Sequence, residues 1–228
     1  MNMHHIIITG ASRGIGHATA LLYASMGWNI SICSRHCDYQ MTQTQDAITA
    51  AGGQYFSFCG DMGNAADAEE FLAKAVQTFG TPEILVNNAG ISHIGLLQDM
   101  TPMQWDDIIR TNLSSVFYTS RVIIPYFLQE KHGRIINVSS VWGSVGASTE
   151  VAYSTTKGGI NAFTKALAKE LAPSGIPVNA VACGMIDTSM NSFLDPEELA
   201  AVIDVRSSYF DELAAVPNEP EHRRRQPL

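Results

Sequence analysis

The stretch His5-Ile6-Ile7-Ile8-Thr9-Gly10-Ala11-Ser12-Arg13-Gly14-Ile15-Gly16 decides the fold. Three consecutive isoleucines bounded by a glycine-rich turn read as a short buried strand. The pattern Gly10-x-x-x-Gly14-x-Gly16 then opens a helix. Gly10 permits the sharp turn, Gly14 lets backbone approach a pyrophosphate, and Gly16 allows the helix to lie close on the strand. The helix start offers free N–H groups and a partial positive charge, which suit phosphate. Glycine spacing alone is a weak signal; its position between a strand and a helix makes it specific.

Outward from that turn, strands and helices alternate. Short runs rich in Ile and Val predict strands near 4–8, 29–33, 54–59, 83–86, 133–138 and 176–182. Helices are expected near 14–26, 39–51, 64–79, 102–130 and 152–172. Gly27, Gly52, Gly80 and Gly175 mark helix ends, and Thr101-Pro102 marks a start, with Thr101 as cap. Repeated βα units imply a parallel sheet covered on both faces, hence an α/β doubly wound Rossmann fold. No repeat or low-complexity linker divides the chain, so one domain is expected over 1–204.

The formal net charge of −8 argues against a phosphate-backbone partner, and Arg223-Arg224-Arg225 is the only basic run. No apolar run is long enough to span a membrane, and the N-terminus lacks the pattern of a signal peptide. A cytoplasmic location is the expectation. Cys33, Cys37, Cys59 and Cys183 are scattered without zinc spacing. They are expected to be reduced thiols, with no metal site.

The end of the second strand, Ile30-Ser31-Ile32-Cys33-Ser34-Arg35, is where a dinucleotide site reads its ribose. A carboxylate there would favour a free 2′-hydroxyl. This chain has Arg35 instead, with Arg13 inside the glycine turn, and Asp38 falls too late in the loop. Two guanidinium groups favour a 2′-phosphate, hence NADP(H).

Further along lie Asn87-Asn88-Ala89-Gly90, Asn112, Ser140, and Tyr153-Ser-Thr-Thr-Lys157. Tyr153 and Lys157, at i and i+4, share one helix face. A tyrosine beside a lysine can act as a general acid, since the cation favours the phenolate and lowers a pKa that is otherwise about 10. Taken with the glycine turn, the order and spacing resemble the short-chain dehydrogenase/reductase family over about residues 4–204. The resemblance implies a catalytic set of Asn112, Ser140, Tyr153 and Lys157. Ser140 would hold a substrate carbonyl, with Ser139 the competing neighbour. Lys157 would also hold the nicotinamide ribose, and Asn112, inside a long helix, would hold a water linking Lys157 to solvent.

The same resemblance implies a cofactor site made of Gly10, Ser12, Arg13, Gly14, Ile15, Gly16, Arg35, Asp61, Met62, Asn88, Ala89, Gly90, Tyr153, Lys157, Gly184, Ile186 and Thr188. Asp61 would meet the adenine amino group; the alternative for it is a plain turn residue. Where the family has Pro-Gly, this chain has Cys183-Gly184. His93, Trp142 and Glu150 are candidate substrate contacts, with Met190 and Phe193 beside them. The strongest likeness is to bacterial 3-oxoacyl-acyl-carrier-protein reductases of fatty acid biosynthesis. Val141 to Ala147 and Glu150 to Tyr153 also resemble reductases of a 5-aminopentanone group on elongation factor P. The implied partner is a ketone carried on a protein. A nucleotide-binding sensor with weak catalysis is the alternative of another class. Residues 205–228, with Pro217 and Pro220, do not resemble the family's last strand. A six-stranded sheet, a divergent tail and a homodimer built on helices 102–130 and 152–172 are therefore expected.

Overall fold

The structure, a computed structural model, describes residues 4–184 and 186. Its elements follow in the order β1 His5–Thr9, α1 Gly14–Ser25, β2 Asn29–Ser34, α2 Tyr39–Ala50, β3 Gln54–Cys59, α3 Ala65–Phe79, β4 Ile84–Asn87, α4 Pro102–Ile109, α5 Ser115–Glu130, β5 Arg134–Ser140, α6 Trp142–Val145, α7 Val151–Leu171 and β6 Val178–Cys183. Six strands form one sheet in the order β3-β2-β1-β4-β5-β6. Every pairing is parallel. This is the expected doubly wound Rossmann sheet, in which the order reverses between β1 and β4 and opens a crevice at the strands' carboxyl ends. The expectations for residues 205–228 lie outside the described residues.

Side chains of a strand alternate between faces, so the isoleucine triplet serves two cores. Ile7 packs with Leu85 and Ile135 against Phe71 and Leu72 of α3 and Ile123 and Phe127 of α5. Ile6 and Ile8 pack with Ile30 and Ile32 against Ala20 and Ala24 of α1 and Met41 and Ile48 of α2. Between β4 and β5 the core is polar. Asn87 Nδ2 donates to Asn137 Oδ1 at 2.9 Å, Thr119 Oγ1 donates to Asn87 Oδ1 at 2.6 Å, and Asn137 Nδ2 donates to Thr164 Oγ1 at 2.9 Å. All four residues are buried. The ladder ties α5 and α7 to the sheet centre, and a single truncation in it would orphan a buried partner.

Two expectations are corrected here. The predicted helix over 102–130 is two helices, α4 and α5, joined by a π-helical turn at Arg110–Ser114. The sequence Arg-Thr-Asn-Leu-Ser carries no helix breaker, so only tertiary contacts reveal the extra residue. The second correction concerns the thiols. Cys37 and Cys59 form a disulfide with Cα atoms 5.7 Å apart, and Cys33 and Cys183 are free. Parallel pairing sets Ser34 opposite Cys59, so the turn after β2 brings Cys37 to the end of β3. A separation of 22 residues in sequence shows nothing of that register.

Buried His5 gives a pH prediction. Its Nδ1 donates to the Gly80 carbonyl at 2.9 Å, which leaves Nε2 to accept from the Ser31 hydroxyl at 2.8 Å. The neutral ring is fully satisfied, and burial lowers its pKa to about 4. Between about 4 and the ordinary 6.5 the unfolded chain binds more protons than the folded one, so stability falls as pH falls through that window. This group contributes at most about 1.4 kcal/mol per pH unit. Urea unfolding of the His5→Gln variant should show a shallower slope between pH 6.5 and 4 than the parent. Equal slopes would rule His5 out as the acid-labile group.

Candidate functional site

The first three helices start differently from one another. Asp38 and Asn64 cap α2 and α3 with side-chain hydrogen bonds, whereas Arg13 makes none at the start of α1. The N–H groups of that first turn are therefore left for another acceptor. The turn itself is held from several directions. Asn88 Nδ2 donates to the carbonyls of Thr9 and Gly10 at 3.0 and 2.8 Å, and Thr9 Oγ1 accepts from Asn88 N and Ala89 N, both at 3.0 Å. Thr44 Oγ1 donates to the Ser12 carbonyl at 3.1 Å. Gly16 admits no side chain, since a Cβ would stand 2.5 Å from Gly10 O. In front of the turn is a cleft of about 310 Å³ lined by Gly10, Arg13, Gly14, Ile15, Arg35, Asp61, Met62, Asn88, Ala89 and Gly90. These are ten of the residues expected around the cofactor; Ser12 and Gly16 support the turn from behind. The uncapped N–H groups at the start of α1 suit a phosphate group in this cleft.

Cys33 and Ser34, from the stretch read as the ribose end of the second strand, line the same cleft, as do His36, Gly60, Ile91 and Thr111, which were not expected there. Gly60 and Ser34 simply extend strands already recognised. Thr111 has no local signal, because the π turn sets its direction. Asp61 does two things. Its Oδ1 accepts from Gly63 N at 2.9 Å, as a turn residue would, and its Oδ2 lies 3.6 Å from Arg35 Nε and 3.4 Å from Arg110 Nη1. Arg35 also bonds Thr111 Oγ1 and lies 3.5 Å from Asp107 Oδ1. The guanidinium expected to stand open for a 2′-phosphate is thus engaged by two carboxylates. Arg13 is exposed, with Nη1 3.4 Å from Gln40 Oε1.

At the carboxyl end of β5 the chain brings Ser140, Tyr153 and Lys157 together. Adjacent strand residues face opposite ways, which separates the two serines. Ser139 Oγ donates to Asn161 Oδ1 at 2.7 Å and to the Lys157 carbonyl at 3.2 Å, facing α7. Ser140 faces the Tyr153 hydroxyl. Burial pushes the Tyr153 phenol above its ordinary pKa, the hydrogen bond with Ser140 works against this, and nearby Glu150 and Cys183 reinforce it. The expected lowering by Lys157 is not found. Lys157 Nζ sits 5.5 Å from the centre of the tyrosine ring, over its face, and donates to the Val138 carbonyl at 2.7 Å. Its charge meets the π-system and a backbone carbonyl instead of the phenol oxygen. Lys157 is 4% exposed, and burial lowers its pKa to about 8.

Asn112 was expected to hold a water. It is fully buried inside the π turn, where its Oδ1 accepts from Ile91 N at 2.7 Å. Its Nδ2 donates to the Ile91 carbonyl at 2.8 Å and to Thr156 Oγ1 at 3.2 Å. Both amide protons are thus engaged, while Oδ1 keeps one lone pair. It clamps the loop after β4, which lines the cleft, to the helix turn that carries Lys157. A π turn aims one side chain where an α-helix could not, and such turns recur at functional sites.

Among the substrate candidates, Glu150 accepts from Ser92 Oγ at 3.3 Å, and burial raises its carboxyl pKa. Trp142 N donates to Ser140 Oγ at 3.2 Å, so the backbone of α6 holds the serine. His93 is half-buried near Gly95. Gly184 and Ile186 follow β6, whose Cys183 pairs with Ser140 across the sheet. Thr188, Met190 and Phe193 lie outside the described residues.

Comparison with known proteins gives a consistent result. The family described as short chain dehydrogenase matches residues 4–199. The 3-oxoacyl-[acyl-carrier-protein] reductase FabG of Staphylococcus aureus (strain Mu50) is 39% identical over 191 residues, which is 84% of this chain and 78% of that protein. FabG of Escherichia coli K12 is 38% identical over 197 residues, covering 86% of this chain and 79% of its own. A crystal structure from Sinorhizobium meliloti 1021, described as a short-chain alcohol dehydrogenase, superposes with a TM-score of 0.81. It is 29% identical and covers 93% of this chain and 82% of its own.

Proposed function

Because this chain belongs to the short-chain dehydrogenase family, we propose that it is an NADPH-dependent ketone reductase. The substrate we assign is a 3-oxoacyl thioester on a carrier protein. The family makes it an oxidoreductase acting between alcohol and carbonyl. The substrate rests on the likeness to 3-oxoacyl-carrier-protein reductases from three bacterial groups, at 37 to 39% identity. No helix among the described residues is long and apolar enough to cross a membrane, which accords with a carrier-borne substrate met in solution. We further propose a single catalytic domain over 1–204.

The observation that carries the chemistry is the meeting of Ser140, Tyr153 and Lys157 beside the nucleotide cradle. When bound, the nicotinamide would supply hydride to the carbonyl carbon. The α1 N-terminus and Gly14 would hold its pyrophosphate, Arg13 and Arg35 its 2′-phosphate, and Lys157 its ribose. The Ser140 hydroxyl would donate a hydrogen bond to the carbonyl oxygen as negative charge grows there. Tyr153, protonated at neutral pH as a tyrosine ordinarily is, would deliver the proton to that oxygen. Lys157, charged below about pH 8, would stabilise the phenolate left behind only by turning from the Val138 carbonyl toward its oxygen.

The direct test follows NADPH oxidation with acetoacetyl-carrier protein, and with simple ketones as controls. Turnover on the thioester well above that on the ketones is the expected result. Tight NADPH binding without turnover on any ketone would replace this reading with a nucleotide sensor.

A further inference from the structure

Arg35, Asp61, Arg110 and Asp107 close into a ring at the mouth of the nucleotide cleft. They come from the ends of β2 and β3, from α4 and from the π turn. Asp61 Oδ2 lies 3.6 Å from Arg35 Nε and 3.4 Å from Arg110 Nη1. Asp107 Oδ1 lies 3.5 Å from Arg35 Nη2 and 2.8 Å from Arg110 Nη2. Each carboxylate thus shares one oxygen between the two guanidinium groups, and the four charges cancel. Arg35 and Asp61 line the cleft, whereas Arg110 and Asp107 stand behind them.

We propose that Arg110 is a positioning residue for cofactor choice, holding both carboxylates so that Arg35 can turn to a 2′-phosphate. This rests on the NADPH reading above. A doubly charged phosphate must compete for Arg35 with Asp61 and Asp107. With Arg110 in place, both carboxylates keep a cation when Arg35 leaves. Without it, two uncompensated carboxylates pull Arg35 back and also repel the phosphate directly. NADH, which carries no 2′-phosphate, makes no such demand. Arg110 therefore acts on the ratio of the two affinities and not on nucleotide binding as a whole. An ordinary i,i+3 surface pair with Asp107 would predict no effect on either cofactor. The link to Asp61 on a different element separates the two cases.

The test is fluorescence titration of NADPH and NADH with the whole protein and three variants. The parent should prefer NADPH. Arg110→Gln should lower that preference about tenfold through weaker NADPH binding alone, the scale expected of one partly screened charge a few ångströms from its partners. Arg110→Lys, which keeps the charge, should retain most of the preference. Asp107→Asn should move the ratio the other way by removing one competitor for Arg35, and it supplies an answer even if Arg110→Gln folds poorly. A parent preference that survives Arg110→Gln, or an equal loss for both cofactors, would overturn the role of Arg110 and leave the NADPH reading standing. A parent with no preference for NADPH would overturn both.

Discussion

Tyr153→Phe is expected to lower turnover on a 3-oxoacyl thioester at least ~100-fold, the usual contribution of a positioned general acid. The substitution removes one hydroxyl and leaves the ring, so the packing around Lys157 and its bond to the Val138 carbonyl persist. NADPH affinity should therefore stay near that of the parent. The loss should lie in kcat, because the hydroxyl is needed chiefly as charge develops on the carbonyl oxygen. The structure sharpens the reason. Burial raises the phenol pKa, and Ser140 is its hydrogen-bond partner and works against that rise. A Tyr153→Phe protein that reduces ketones at near-normal rates would show that another group supplies the proton.

Gly10→Ala should damage the cradle through both strain and contact. Gly10 has φ +65, and a Cβ there would stand 2.7 Å from the Ala89 Cα, a backbone atom that cannot swing aside. Left-handed strain and overpacking together should lower stability by about 2–4 kcal/mol. Cofactor affinity should fall about tenfold or more, because the turn that presents the start of α1 must shift. Gly52 provides the control. It has φ +81 but nothing within 4 Å of a Cβ, so Gly52→Ala should show only the strain, about 1 kcal/mol. Urea unfolding and NADPH titration of the two variants separate strain from contact. Equal losses would show that the approach of Ala89 to Gly10 carries no weight.

Some features of the site were legible because they are local. The isoleucine triplet, the glycine turn and the Thr101-Pro102 start each depend on a few neighbouring residues. Tyr153 and Lys157 share a face because helix geometry requires it. The family spacing selects Ser140 over Ser139, and strand alternation gives the physical reason, sending Ser139 to α7 and Ser140 to Tyr153. The setting of Asn112 was hidden in the sequence. Nothing in Arg-Thr-Asn-Leu-Ser distinguishes a π turn from an α-helix, and that turn spends the amide on Ile91 and Thr156.

By itself, then, the sequence determined the alternation of strands and helices, the nucleotide turn and the residue types of the acid–base centre. Short-range sterics, capping and hydrophobic period are written in adjacent residues. Tertiary structure alone decided which distant groups meet. Parallel register brings Cys37 to Cys59, and the approach of Asp107 and Arg110 to Arg35 and Asp61 closes four charges into one ring. Burial raises the Tyr153 phenol, while the Lys157 ammonium is turned to a backbone carbonyl. Such outcomes depend on distance and desolvation between groups far apart in the chain, and no local pattern encodes them.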